Sequence, residues 1–238
     1  MTKNRPLAYV GPRTLKSYHW KRQQSTADWV ENNVYLNADT SPIRGMMDLR
    51  YTPHLREMFD DIDKKHVWKG IGKFSTQCGK TMFLLGRMAK KLDTKPGKAQ
   101  YAIPNEDKVG EYLADKVTPF INGIKTLKNK VEDYKQQEKV RLKMTRIKIA
   151  GGDCVFTGST PSSRRSKTVQ EIYIDEADIM DEGSLVEFEG RTKAYEKYGR
   201  KVLATSSQKH KNGEIGRAHD GCELKKEWHT PCPNCEHH

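Results

Sequence analysis

Two short motifs constrain this chain more than anything else in it: Gly79-Lys80-Thr81, and Ile172-Tyr173-Ile174-Asp175-Glu176, with Asp175 lying 95 residues after Lys80. A strand, a turn of free amides, and then Gly-Lys-Thr opening a helix is the pattern of a phosphate-binding loop. The amides and the helix N-terminus hold phosphate oxygens. Lys80 then reaches the β- and γ-phosphates, and the Thr81 hydroxyl ligates Mg²⁺. The turn comprises Ser75, Thr76, Gln77 and Cys78, with Phe74 where the usual pattern has its first glycine. Gly-Lys-Thr alone occurs in ordinary loops. Here it sits between a candidate strand, Val67–Ile71, and an apolar stretch, Met82–Leu92, which reads as a buried helix.

The second motif is an apolar strand ending in two acids. Buried charge is costly unless it is paired or metal-bound. Asp175 can hold Mg²⁺, directly or through water, and Glu176 can orient and deprotonate an attacking water. An Asp-Glu pair after a strand can also be a simple helix cap; the upstream Gly79-Lys80-Thr81 favours ATP hydrolysis. A third element, Thr205-Ser206, ends the next apolar strand, Val202-Leu203-Ala204, 30 residues after Asp175. Hydroxyls there can sense the γ-phosphate, although they also cap strands and helices generally. Short apolar strands alternating with helices predict an α/β fold with a mainly parallel sheet flanked by helices, and the 95-residue interval between the two motifs suits a P-loop NTPase of the additional-strand type, with a strand inserted between them.

Composition bounds the rest. The 238 residues carry 43 Lys+Arg against 31 Asp+Glu, a net charge of +12. That balance suits a polyanionic partner such as nucleic acid, or simply a solvated basic surface. No apolar run approaches the ~20 residues of a membrane span, and no signal-peptide pattern is present. Cys78, Cys154, Cys222, Cys232 and Cys235 are odd in number and scattered, unlike a disulfide framework. A reduced, intracellular setting is expected. Cys232 and Cys235 have metal-ligand spacing and form a candidate zinc pair.

Residues 1–24 are predicted to be a basic arm, rich in Lys/Arg and free of acids. Helices are expected around Ser25–Val34, with Ser25 as cap, and from Thr52 with Pro53 in the first turn. Asn105 should cap a further helix, which Pro119 should limit. Residues 122–148 hold nine Lys/Arg against three Asp/Glu, either a solvated helix or a nucleic-acid face. Arg146–Ala150 and Cys154–Thr157 read as strands joined by a hairpin at Gly151-Gly152-Asp153.

With these sites in order, the sequence resembles the large terminase subunit of tailed phages, in particular the lambda-like branch. Thr52-Pro53-His54-Leu55-Arg56-Glu57 is similar to the family's Thr-Pro-Tyr-Leu-Arg-Glu segment. Lys73 to Thr81 resembles its Ser-x-Gln-x-Gly-Lys-Thr loop, which also lacks the first glycine. Pro104-Asn105-Glu106-Asp107 is similar to Pro-Thr-Glu-Asp, Ser162–Val169 to its Leu-Arg-Ser loop, and Pro231-Cys232-Pro233-Asn234-Cys235 to its Cys-Pro-x-Cys. The resemblance implies an ATP-driven motor that moves double-stranded DNA into a procapsid in the host cytoplasm. Its partners would be a portal protein and a small terminase subunit, and it would act as a homo-oligomeric ring, by analogy a pentamer. The implied cofactor is Mg-ATP, with zinc at Cys232 and Cys235 as a further candidate.

On this analogy Asp175 is the Walker B acid, which with Thr81 holds Mg²⁺, and Glu176 is the catalytic base. Thr205 and Ser206 are the coupling motif. Arg165 is the arginine acting across a subunit interface, with Arg164 as its alternate. Leu55-Arg56-Glu57 departs from the family's Gln-Arg-Glu, leaving Tyr51 and Arg56 as candidates for adenine recognition. Residues 25–221 are then the motor domain, and 222–238 begin a Cys-containing linker or zinc element ahead of a nuclease domain not expected in this chain. Two other readings compete: a superfamily-2 helicase domain, since residues 175–178 spell Asp-Glu-Ala-Asp, and a non-enzymatic zinc-bearing nucleic-acid-binding protein.

Overall fold

A computed structural model describes residues 24–138, 145–165, 167–210 and 212–229. The predicted arm and the Cys232/Cys235 pair lie outside them. The fold is built on a six-stranded sheet, with a small two-stranded ribbon, β1 (Tyr35–Leu36) and β2 (Gly45–Met46), to one side. The large sheet comprises β3 (Lys69–Phe74), β4 (Lys98–Ala102), β5 (Arg146–Ile149), β6 (Gly152–Thr157), β7 (Glu171–Asp175) and β8 (Lys201–Ser207). Its spatial order is β3-β8-β7-β4-β6-β5. All neighbours run parallel except β5 and β6, which form the hairpin expected from Gly151-Gly152, with Gly151 at φ +81°.

The helices are α1 (Thr26–Asn33), α2 (Pro53–Asp63), α3 (Lys80–Thr94), α4 (Val109–Tyr112), α5 (Thr118–Asn122), α6 (Lys125–Glu138), α7 (Pro161–Arg165), α8 (Ser184–Gly190) and α9 (Glu214–Asp220). Alternation along the central strands builds a core on each face of the sheet. Tyr173 and Leu203 face a core shared with Phe59, Phe83, Leu84, Met88 and Phe120. Their strand neighbours Ile172, Ile174, Val202 and Ala204 face a second one with Leu185, Phe188 and Ile215. The near-continuous apolar reading of these strands is thus the signature of a sheet covered on both sides.

Several sequence expectations are met locally. The Ser25 hydroxyl accepts the N–H of Asp28, and the Asn105 carboxamide accepts that of Asp107. Two expectations shift. The strand ahead of the phosphate turn runs from Lys69 to Phe74 rather than from Val67 to Ile71, since ladder bonding to β8 carries it onward. Pro119 does not end its helix: the run continues to Asn122, widened into a π turn over Leu113–Val117 in which Thr118 N–H bonds to Leu113 C=O. A proline cannot give the usual N–H to the fourth carbonyl back, and a π turn is one way to accommodate that loss without breaking the helix. The lysine-rich stretch contains helix α6, with Leu127 buried beneath it and Lys125, Lys128 and Lys135 exposed. Among the described residues, no helix is long and apolar enough to cross a membrane.

Candidate active site

Strand β3 delivers the chain to the turn at the C-terminal edge of the sheet, and α3 begins at Lys80 directly after it. Gln77 (φ +61°) and Gly79 (φ +82°) both occupy the left-handed region. Such reversals turn successive amides inward and form an anion-binding concavity. Gly79 is required twice over: its φ suits glycine, and a Cβ there would approach Leu55 Cδ1 to 2.9 Å.

The structure brings the two acids of β7 to this turn. The Thr81 hydroxyl donates to Asp175 Oδ2 at 2.9 Å, and Lys80 Nζ lies 2.7 Å from Glu176 Oε1. Glu176 sits at φ +55°, ψ +46°, an uncommon conformation for a side-chain-bearing residue. Strained backbone of this kind costs about 1–3 kcal/mol and clusters at functional sites.

Asp175 is only 2% exposed, so its charge needs compensation. Its Oδ2 accepts the hydroxyls of Thr81 and Tyr112, both at 2.9 Å, with the Tyr101 oxygen 3.3 Å away, and its Oδ1 accepts the Thr205 hydroxyl at 3.3 Å and the Glu176 N–H at 3.1 Å. Burial, reinforced by the Asp175 charge, pushes both tyrosine hydroxyls well above their ordinary pKa, so they remain protonated donors. Of the predicted coupling pair, Thr205 thus touches Asp175, and the Ser206 hydroxyl accepts the Asp178 N–H at 3.1 Å. Neighbouring Ser207 hydrogen-bonds Lys80 Nζ at 2.8 Å. Sequence reasoning missed Ser207, Tyr101 and Tyr112. Ser207 could have been found by extending the Thr205-Ser206 motif by one residue, but no spacing signal ties either tyrosine to Asp175.

The remaining candidates lie further out. Tyr51 is 67% exposed, and Arg56 reaches from α2 to Asp28 and Glu31 of α1. His54, two residues before Arg56, donates from Nε2 to the Cys78 carbonyl at 2.8 Å and packs edge-on to Phe74. A groove of about 870 Å³ runs from Ser75 and Cys78 along the exposed side of β3 beneath Leu224–His229. On α7, Arg164 is buried against Asp181, Ser184 and Glu187, whereas the Arg165 side chain is 69% exposed and pairs with Glu187 at 2.9 Å. The Thr81 hydroxyl and the Asp175 carboxylate are hard oxygen donors close together, the chemistry Mg²⁺ selects. No cluster of three or more His, Cys, Asp or Glu suited to a metal occurs among the described residues.

A phosphate turn, an acidic strand end beside it, and a third strand threaded between the two define an additional-strand P-loop ATPase. Residues 41–238 match the family described as phage terminase large subunit gpA, ATPase domain, and the chain belongs to that family. The large terminase of bacteriophage HK97 superposes with a TM-score of 0.61 at 13% identity, covering 84% of this chain and 40% of that one. A mutant of the ATPase domain of the large terminase of Thermus phage P74-26 gives a TM-score of 0.48 at 14% identity, covering 72% and 71%. The matched part of the chain thus spans about two fifths of the length of the HK97 protein. No curated protein sequence matches it significantly. Family membership decides against the helicase and non-enzymatic readings.

Proposed function

We propose that this chain is the ATP-hydrolysing motor of a lambda-like large terminase, translocating double-stranded DNA into a procapsid. The observation that carries the reading is the meeting of Thr81 with Asp175 and of Lys80 with Glu176 across the C-terminal edge of one sheet. The turn from Ser75 to Thr81 would receive the phosphates through its amides. Thr81 and Asp175 would hold Mg²⁺, which, when bound, neutralises charge on the β- and γ-phosphate oxygens. Glu176 would orient the attacking water and take its proton.

Lys80 is held by Glu176 and Ser207. A γ-phosphate drawing Lys80 toward itself would release the Glu176 carboxylate for the water, so substrate binding itself would arm the base. Thr205 and Ser206 would report the loss of the γ-phosphate to the rest of the sheet. The exposed Arg165 is the better placed of the two arginines to reach a neighbouring subunit, since Arg164 is enclosed by its own acids. Adenine would lie near the turn, with Tyr51 and Arg56 as its candidate contacts. Zinc at Cys232 and Cys235, the pentameric ring, the portal protein, the small terminase subunit and the host cytoplasm complete the proposal by family analogy.

Glu176→Gln tests it. ATP hydrolysis should fall by about 10²–10⁴-fold, the usual worth of a general base, while ATP binding persists. Undiminished turnover would overturn the assignment.

A further inference from the structure

Asp175 is a buried carboxylate that, among the described residues, makes no ion pair. The neighbouring lysine is committed to Glu176, so hydroxyls compensate the Asp175 charge. Two come from outside the recognised motifs: Tyr101 on β4 and Tyr112 at the end of α4. The two phenol oxygens are 2.7 Å apart. Each phenol has one proton to give. The shortest contacts therefore order the chain: Tyr101 O–H donates to Tyr112, and Tyr112 O–H donates to Asp175 Oδ2. The longer 3.3 Å approach of Tyr101 to Asp175 is left as an electrostatic contact. A donor that itself accepts a hydrogen bond is polarised and donates more strongly.

The two rings are anchored differently. Tyr101 is fully buried, sits in register with Tyr173 on β7, and stacks on Phe156 with ring centres 5.2 Å apart. It is fixed by the sheet. Tyr112 is carried by the helical layer, immediately ahead of the π turn over Leu113–Val117, and such turns recur at functional sites. Oδ2, the oxygen Tyr112 holds, is also the one that faces Thr81.

We propose that Tyr112, backed by Tyr101, is a positioning residue of the ATPase. It fixes the Asp175 carboxylate so that Oδ2 stays beside Thr81, ready for a divalent cation. The inference rests on the ATPase reading above. Without the Tyr112 hydroxyl the carboxylate is freer to rotate about its terminal bond, and the oxygen pair offered to the cation is no longer preorganised. Binding of the nucleotide's base and turn-held phosphates is untouched.

The test uses the full 238-residue chain as wild type, Tyr112→Phe and Tyr101→Phe. Three quantities are read: the Mg²⁺ concentration giving half-maximal binding of a fluorescent ADP, the kcat and KM for ATP at saturating Mg²⁺, and the thermal midpoint without ligand. A hydrogen bond to a charged group is worth roughly tenfold in an equilibrium. Tyr112→Phe should therefore raise the half-maximal Mg²⁺ about tenfold and lower kcat by a similar factor, with KM and thermal midpoint near wild type. Tyr101→Phe should move the same two quantities in the same direction by less, and it provides the test if Tyr112→Phe does not fold. Unchanged Mg²⁺ dependence and kcat in both variants, or a lowered thermal midpoint alone, would overturn the inference while leaving the ATPase reading intact. A wild type that neither binds Mg-ADP nor hydrolyses ATP would overturn both.

Discussion

Lys201 opens β8 as a cation with no carboxylate at ion-pair distance among the described residues. Its Nζ donates to the carbonyls of Lys64 (2.9 Å) and Val67, and the residue is buried. Burial first, and the nearby Arg87 charge second, lower its pKa from 10.5 to about 8. Above pH 8 the folded chain has released a proton that the unfolded chain keeps up to pH 10.5. The unfolded state then binds more protons, so this residue's contribution to stability rises with pH across that window and is flat below it. Urea unfolding of wild type and Lys201→Met at pH 7, 8, 9 and 10 should show the wild type gaining on the variant above pH 8. A difference independent of pH would refute this. A sequence carries no mark of such a residue: Lys201 reads as a strand-end lysine bound for solvent, and only the turn at Lys64–Val67 wrapping over it removes the water. The left-handed backbone of Glu176 is hidden for the same reason, because surrounding packing imposes it.

Helix α3 and strand β7 are joined by more than apolar contact. Arg87 reaches from the middle of the helix to Glu171 with a forked pair at 2.8 and 3.1 Å, and to Asp63 of α2 at 2.7 Å. Lys90 adds a second bond to Asp63, and the Tyr173 hydroxyl a further one to Glu171. The opposing cations outweigh burial and hold the Glu171 and Asp63 carboxyls below their ordinary range. Removing one partner of a buried pair strands the other. Arg87→Met should therefore cost about 3–5 kcal/mol, measured by chemical denaturation, and Arg87→Met with Glu171→Leu should recover part of it. A loss below 1 kcal/mol would show the pair to be dispensable.

At this scale the sequence was a good guide to element identity and a poor one to connection. Met82–Leu92 reads as a buried helix and is one, but residues 63, 87 and 171 have no spacing relation that foretells their meeting. The hairpin at Gly151 was legible because local turn chemistry decides it. The persistence of the helix through Pro119 was not, because packing of Val117, Phe120 and Ile121 outweighs the lost hydrogen bond.

For the molecule as a whole, if the chain translocates DNA as proposed, its charge of +12 and the exposed lysines of α6 would suit a grip on the phosphate backbone. Each phosphate neutralised should contribute a slope of about −0.9 in log affinity against log salt on duplex DNA. Binding is expected to weaken steeply between low and moderate salt, equally for two unrelated duplexes, and to weaken further on charge reversal at Lys125, Lys128 and Lys135. Fluorescence anisotropy over a salt series measures all three, and a strong preference for one sequence would contradict a translocating grip. The motifs announced the class of machine, yet their spatial order could not be read from the chain, since β8 arrives last in sequence and is inserted second in the sheet.

That insertion has a mechanical corollary. Neighbouring strands are spaced about 4.8 Å apart, so one intervening strand holds the phosphate-turn strand and the acid-bearing strand roughly 10 Å apart. β8 is laddered to both, Phe74 opposite Ser207 and Thr205 opposite Asp175. The sheet is thus a fixed caliper: its jaws cannot widen or narrow without shearing two ladders at once, and any stroke powered by the site must be carried by what stands above the jaws, the turns and the helices that leave them.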